Sequence, residues 1–573
     1  MKKIISVFFP FVEKAKQRLP RSPKNIFILF LLGCILLSTF HVNAQTSLKG
    51  KITDKETKEA IPGAVISFPD LQKPPVSSKL DGTYEIKELP KIKTMMLVKM
   101  TGYKTYVAKI DLAVVSVLNI EMDTSVIEAD EVIVTGTSHA TELLKNPVPM
   151  YIISPEYLLQ NAATNIIDAM IKIPGVSAVS TGPNVSKPFI RGLGYNRILT
   201  LFDGVRQDGQ QWGDEHGIEV DQYLVERIEV VKGPASLIYG SDALAGVINL
   251  LPAHSAPEGM IKGAVFNNYQ TNNLQIGNSI SLNGNDNGFT WGFTASHKQA
   301  SDYKNKYDGR VFGTKYNEND LNFKVGINRS WGFSHLNFSL YDNQQEIPDG
   351  SRDSVTRKFT KQITEEDTIR PIVNDDELSS YKIAVIHQRV QHYRVYSANS
   401  FIIGKSRLGI KIGFQKSVRR EFGHPQHPEL PALQLQLYSA TYDVKYYLPE
   451  VKGWETTVGV NGMYQKNSNK NATEFVIPNY SSFDAGPFAF TKRSFKKLEI
   501  AFGFRYDIRT FKNDALFTKT NPETGFDMET NANSSDSTVI KQFDFYEHTF
   551  SGFSGSAGFT YNLTRKFFMK MNV

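Results

Sequence analysis

The chain has 573 residues, 41% hydrophobic and 12% aromatic, with a formal net charge of +7. That length exceeds one ordinary domain, and so small a charge, spread along the chain without a basic stripe, leaves no footprint for nucleic acid. Past the N-terminal region no apolar run approaches the roughly 18 residues of a membrane helix, so helical spanning by the mature chain is excluded.

Lys2, Lys3, Lys14, Lys16, Arg18, Arg21 and Lys24 precede the apolar run Ile26–Leu37 and then Val42-Asn43-Ala44. Positive, apolar, then small is the order of a secretory signal, expected over 1–44 with cleavage after Ala44. A membrane anchor, or lipid attachment at Cys34, are the other readings. Cys34 is the only cysteine, so the mature chain would need no disulfide in an oxidising compartment.

Over 45–124, runs such as Lys51-Ile52-Thr53, Ala64-Val65-Ile66 and Thr83-Tyr84-Glu85-Ile86 are parted by Pro62-Gly63 and Asp81-Gly82, which predicts a small antiparallel sandwich. The stretch 125–149 reads as a linker. It holds Glu131, Val132, Ile133, Val134, Thr135 and Gly136, a β-branched run able to add itself to another protein's sheet edge. An ordinary first strand of the next domain is the other reading. That domain spans 150–259. Its segment Tyr157–Ile173 has apolar residues at Leu158, Ile166, Ile167, Met170 and Ile171 and stops at Pro174-Gly175, which predicts one amphipathic helix or two short ones. Ile198–Phe202 and Arg227–Val231 read as half-buried strands bounded by Asp203-Gly204 and Gly233-Pro234.

From Gly263 onward the period becomes two. Leu321, Phe323, Val325 and Ile327, then Leu408, Ile410, Ile412 and Phe414, then Leu498, Ile500, Phe502, Phe504 and Tyr506 alternate with polar or small residues. Strands of about ten residues with one apolar and one wet face fit a transmembrane β-barrel, because lipid offers no partner to an unpaired backbone group. A soluble sandwich also alternates, but its loops would not sort by length. Here thirteen strands over 260–573 are expected, with short turns near Asn287, Ser330, Lys405, Glu450, Arg493 and Thr564. Apart from a short connection near Thr271, long polar segments alternate with them, at 299–319, 344–391, 419–434, 466–481 and 508–549. The long loops belong outside the cell.

The stretch Phe189–Leu250 resembles the plug domain of TonB-dependent outer-membrane receptors. The resemblance lies in Arg191-Gly192, Asn196-Arg197, Asp203-Gly204-Val205, Glu226-Arg227-Ile228-Glu229, Gly233-Pro234-Ala235 and Tyr239-Gly240. The preceding sandwich resembles the carboxypeptidase-regulatory-like domain of the Bacteroidetes-type receptors. The resemblance implies a mainly β chain: sandwich, α+β plug, and an antiparallel wall of thirteen strands where the family has 22, hence an apparently C-terminally truncated receptor. It also implies that residues 131–136 are the TonB box, that the energy-transducing TonB protein and outer-membrane lipid are partners, and that Arg191, Arg197 and Arg227 face acidic residues of the wall.

Cargo would meet the outward side of the plug and the long loops. Asp214, Glu215, His216 and Glu219 in the plug, and His424, His427 and Glu429 in a loop, offer the imidazole and carboxylate that suit zinc and similar cations. These residues resemble the zinc-uptake branch, with a ferric siderophore, haem or another small nutrient as the other cargoes. The expectation is a transporter that needs no cofactor of its own beyond a transported zinc or iron complex. A surface adhesin without transport and an inactive truncated receptor are the alternatives. With no phosphate loop, Ser/His/Asp elbow or Cys pair, no enzymatic activity is expected.

Overall fold

The computed structural model describes residues 46–124, 132–133, 141–142, 150–161, 163–209, 213, 216–232, 234–532, 536–564 and 567–573. The expected signal at 1–44 lies outside them.

The N-terminal domain is a sandwich of two sheets. One has the order Thr83–Leu89, Thr46–Asp54, Ile120–Met122, and the other Lys73–Ser77, Val65–Phe68, Lys93–Lys99, Tyr106–Asp111. Alternation along each strand turns Leu48, Ile52, Ile66, Phe68, Ile86, Met96 and Val98 into one core. The sandwich is not purely antiparallel as expected: Ile120–Met122 returns to lie parallel to Thr46–Asp54. A strand arriving from the opposite sheet is not bound to the antiparallel sense that a hairpin imposes.

The plug is built on a five-stranded sheet in the order Met150–Ile153, Val225–Lys232, Gly246–Pro252, Ile198–Phe202, Val205–Arg206. Ile198–Phe202 runs parallel to Gly246–Pro252 and is buried at every position, not half-buried as its short apolar run implied. Such a continuous apolar run is what a strand covered on both faces requires. Burying Ile228, Val230, Ile248 and Leu250, all fully covered, stabilises the plug by roughly 1.5–3 kcal/mol each. Two short helices cover this core, Pro155–Gln160 and Ile166–Met170. Ser154 caps the first and Asn165 the second, each accepting from backbone N–H groups of the first turn.

The wall is a thirteen-stranded antiparallel sheet in which every strand pairs with its neighbour in sequence, from Met260–Gln270 to Phe568–Asn572. Its strands are longer than expected, reaching 17 residues in Ser406–Phe422. They extend into segments read as loop, so Tyr316–Arg329 begins inside the stretch assigned to a loop at 299–319. The turn expected at Lys492–Ser494 likewise moves to 495–497, because Tyr480–Ser494 stays in register to its end. Short turns at 287–288, 330–331 and 404–405 alternate with connections at 301–315, 347–386 and 514–545. Leu321, Phe323, Ile412, Phe414, Phe502 and Phe504 are all exposed, while Glu318, His392, Arg394, Gln415, Arg419 and Arg505 point inward and are buried. Apolar outside and polar inside is the reverse of a soluble protein and is stable only against lipid.

Candidate functional site at the interface of plug and wall

Two tight turns shape the plug face. Arg191 and Gly192 take φ of 51° and 81°, and Asp203 and Gly204 take 51° and 73°. Paired positive φ values at two central residues define the hairpin turn that glycine tolerates best. The second turn presents Asp203 to the wall. Tyr396 donates its hydroxyl to Asp203 Oδ2 at 3.0 Å, and Lys411 Nζ donates to the Asp203 carbonyl. Asn249 accepts the Gly204 N–H at 3.0 Å.

Further contacts are mostly plug carboxylates or amides facing wall bases. Asp242 receives both guanidinium nitrogens of Arg509, each at 2.7 Å, and Arg206 Nη1 at 2.7 Å. Burial pushes the Asp242 carboxyl up, but the two arginines outweigh it and hold it well below the usual carboxylate range. Arg509 also reaches Asp484 at 2.7 Å, and Arg206 reaches Asp208 at 2.8 Å. Glu219 Oε2 lies 2.5 Å from His392 Nδ1, and its other oxygen accepts from Ser417 at 3.1 Å. Burial again opposes ionisation there, and His392, Arg419 and Ser417 win, so Glu219 sits below its ordinary range. His216 Nε2 lies 3.1 Å from Glu421 Oε1.

A third group combines Asp221 of the plug with Glu318 and Asp320 of the wall. One oxygen from each lies within 4.8 Å of the others, the one grouping with metal-ligand spacing among the described residues. Asp221 also accepts from Ser296 Oγ at 2.8 Å. Lys298 neutralises Glu318 at 3.0 Å, and Asn184 donates to the same carboxylate at 2.8 Å. Burial, then the Glu318 charge, pushes Asp221 up to about 6. A carboxylate trio already holding an ammonium is a polar contact between plug and wall first and a cation site only second. Glu318 and Asp320 share a face of their strand by its period of two, a signal that assigning residue 319 to a loop concealed.

The residues singled out by sequence fall in separate places. His216 and Glu219 are joined to wall residues, whereas His424 is enclosed by loops: its Nδ1 lies 3.0 Å from Glu365 Oε2 and its Nε2 2.7 Å from Thr473 Oγ1. Both ring nitrogens are thereby engaged. His427 packs edge-on against Phe526, 5.4 Å between centroids, and Glu429 is exposed. Asp214 and Glu215 lie outside the described residues. Arg227 bonds Glu229 in its own strand at 2.5 Å, and Glu226 accepts the His254 N–H at 3.3 Å. Arg191 and Arg197 are exposed. The Tyr239 ring receives Lys445 at 5.5 Å, Gly240 takes φ 108°, and Gly233 and the Pro234 side chain are not described. Val132–Ile133 form a two-residue ladder with Thr141–Glu142, apart from the plug sheet. Glu131, Val134, Thr135 and Gly136 lie outside the described residues.

A family profile described as TonB-dependent Receptor Plug Domain matches residues 142–247, and one described as CarboxypepD_reg-like domain matches 48–134. A hemin receptor of Yersinia enterocolitica is 35% identical over 122 residues, which are 21% of this chain and 18% of that protein. An iron-regulated outer membrane virulence protein of Vibrio cholerae is 36% identical over 129 residues, 21% of this chain and 20% of that protein. The match therefore spans about a fifth of these relatives' length. Among solved structures, the ferric-catecholate import receptor Fiu from E. coli K12, in its open form, superposes with a TM-score of 0.55 at 13% identity, covering 74% of this chain and 69% of that one. Residues 142–247 match the plug of TonB-dependent receptors, and plug and wall together take the fold of that solved import receptor. The plug match follows a match to a carboxypeptidase-regulatory-like domain.

Proposed function

We propose that the protein takes up a scarce nutrient across the outer membrane, a metal ion, a metal complex or a siderophore. Energy comes from the inner-membrane proton gradient through TonB, which grips residues 131–136. The observation that carries this reading is the interface just described. The plug is seated in the wall by discrete ion pairs and hydrogen bonds such as Asp242–Arg509 and Glu219–His392. Such contacts fix one register and can be broken and remade, whereas a continuous apolar interface could not be pulled apart without exposing it. The relatives named for hemin and for iron regulation support the cargo class. Side chains supply charge and hydrogen bonds here, and no step of bond chemistry is assigned to them.

Cells expressing the protein are tested for uptake of labelled ferric and zinc complexes, with and without deletion of residues 131–136. Uptake is expected to vanish on deletion, or when the proton gradient is collapsed, while surface binding persists. Accumulation inside cells that ignores both treatments would overturn the reading, and binding with no uptake by the intact protein would make it a surface adhesin.

A further inference from the structure

A cleft with a volume of about 420 Å³, partly open to solvent, lies between the N-terminal domain, the underside of the plug and the wall. The domain is held over it by Lys93 and Lys109, which pair with Glu450 in a short turn at 3.2 and 2.9 Å. Arg407 adds a bond to the Asp70 carbonyl at 3.0 Å. These contacts involve the short-turn side of the wall, so the cleft lies on the inward side of the plug.

Seven cationic side chains line this space against four carboxylates. Lys445 is matched by Asp443 at 2.8 Å and Arg227 by Glu229 at 2.5 Å. Lys73, Lys99, Lys324, Arg407 and Lys411 make no ion pair among the described residues. Three of them donate instead to backbone carbonyls: Lys73 to Glu88, Arg407 to Asp70 and Lys411 to Asp203. A carbonyl satisfies a donor but cancels no charge. Removing an ammonium or guanidinium from water costs several kcal/mol unless an opposite charge meets it; Lys73, Lys324, Arg407 and Lys411 are half-buried around one volume, with exposed Lys99 at its rim. Carbonyl-braced cations are also held in place before any ligand arrives, which lowers the ordering cost of binding.

We propose that this cleft is a binding site for a small polyanion bearing carboxylate or phosphate groups. The volume falls within the roughly 300–1,000 Å³ range of small-molecule sites. Lys324 and Arg407 from the wall and Lys99 from the N-terminal domain approach the ligand from two sides, so the domain completes the site. A role as the next stop for cargo leaving the plug rests on the uptake reading; the site itself does not.

The purified full chain is titrated calorimetrically with citrate and with inorganic pyrophosphate. One saturable site is expected for at least one of them, the tighter probe naming the group preferred. Affinity should fall at least about tenfold in Lys324→Met and in Arg407→Met, and steeply between about 50 and about 500 mM salt. Lys405→Met, in the exposed turn outside the cleft, should bind like the parent. Lys99→Met supplies the loss on the domain side should a wall variant fail to fold. No saturable binding of either anion, or parental affinity in the Lys324, Arg407 and Lys99 variants, overturns the proposal. The measurement involves neither TonB nor a gradient, so its failure and a failure of uptake are separate results.

Discussion

Asp221 shows how one side chain can set the strength of the plug's seat. Its carboxyl titrates at about 6 against an ordinary 3.8, because it is buried and faces Glu318. A pKa raised on folding means that the folded state holds the proton more tightly. The stabilisation is therefore complete below about pH 4 and is lost as pH rises through 6, worth up to roughly 3 kcal/mol over that window. Asp221→Asn keeps the cap on Tyr223 N–H and removes the ionisation. Urea midpoints at several pH values should fall less steeply from acid to neutral for the variant than for the parent, and the variant should be the more stable at pH 7. Parallel profiles would assign the pH dependence to other groups. Asp242 is the opposite case, a carboxylate held charged between two arginines. Asp242→Ala leaves Arg206 and Arg509 with only Asp208 and Asp484, and because each half-buried arginine keeps one carboxylate the loss should be about 1–3 kcal/mol. Faster labelling of a cysteine placed at buried Leu199 would register the loosened plug, and Asp242→Glu should restore part of the protection.

Among the elements, the central pair of plug strands depends on a single glycine. Gly246 begins Gly246–Pro252 at φ 153°, and a Cβ there would lie 2.1 Å from the Val231 carbonyl of the adjacent strand. Gly246→Ala must push two strands apart in the middle of the core, so a loss of more than about 3 kcal/mol is expected. A parental melting midpoint would show that the sheet can shift to accept it. The wall was legible because lipid enforces period two over whole strands: Leu498, Ile500, Phe502 and Phe504 could not alternate so regularly in a loop. The plug helices were legible from their apolar spacing and the Pro174-Gly175 stop. Contacts between plug and wall were not, since Asp242 and Arg509 lie 267 positions apart and no local pattern in either predicts the other. Strand ends failed for a related reason. Glu318 looks like a loop residue until the polar interior of a wall is known to face it. His216 and Glu219 were picked out for metal chemistry by residue type alone, and no local pattern shows that Glu421 and His392 of the wall stand beside them.

Across the whole molecule, the long outer connections are joined into one belt, and His424 sits at its centre. Its own connection runs over 423–432; Glu365 belongs to 347–386, Thr473 to 470–479, and Phe526, with its ring centroid 4.1 Å from the imidazole, to 514–545. Gln426 strengthens the first link by exchanging two backbone-to-side-chain bonds with Glu365, at 3.0 and 3.1 Å. The belt extends further through Arg352 to Asp308 of the connection 301–315 at 2.8 Å. Loops tied this way open together, because losing one link exposes the polar groups of the next. His424→Ala should therefore raise proteolytic cleavage at all four connections in intact cells, not at 423–432 alone. Glu365→Gln, which keeps a hydrogen-bond acceptor for the imidazole, should have a smaller effect. Cleavage confined to 423–432 would mean that the connections move independently instead of as one unit.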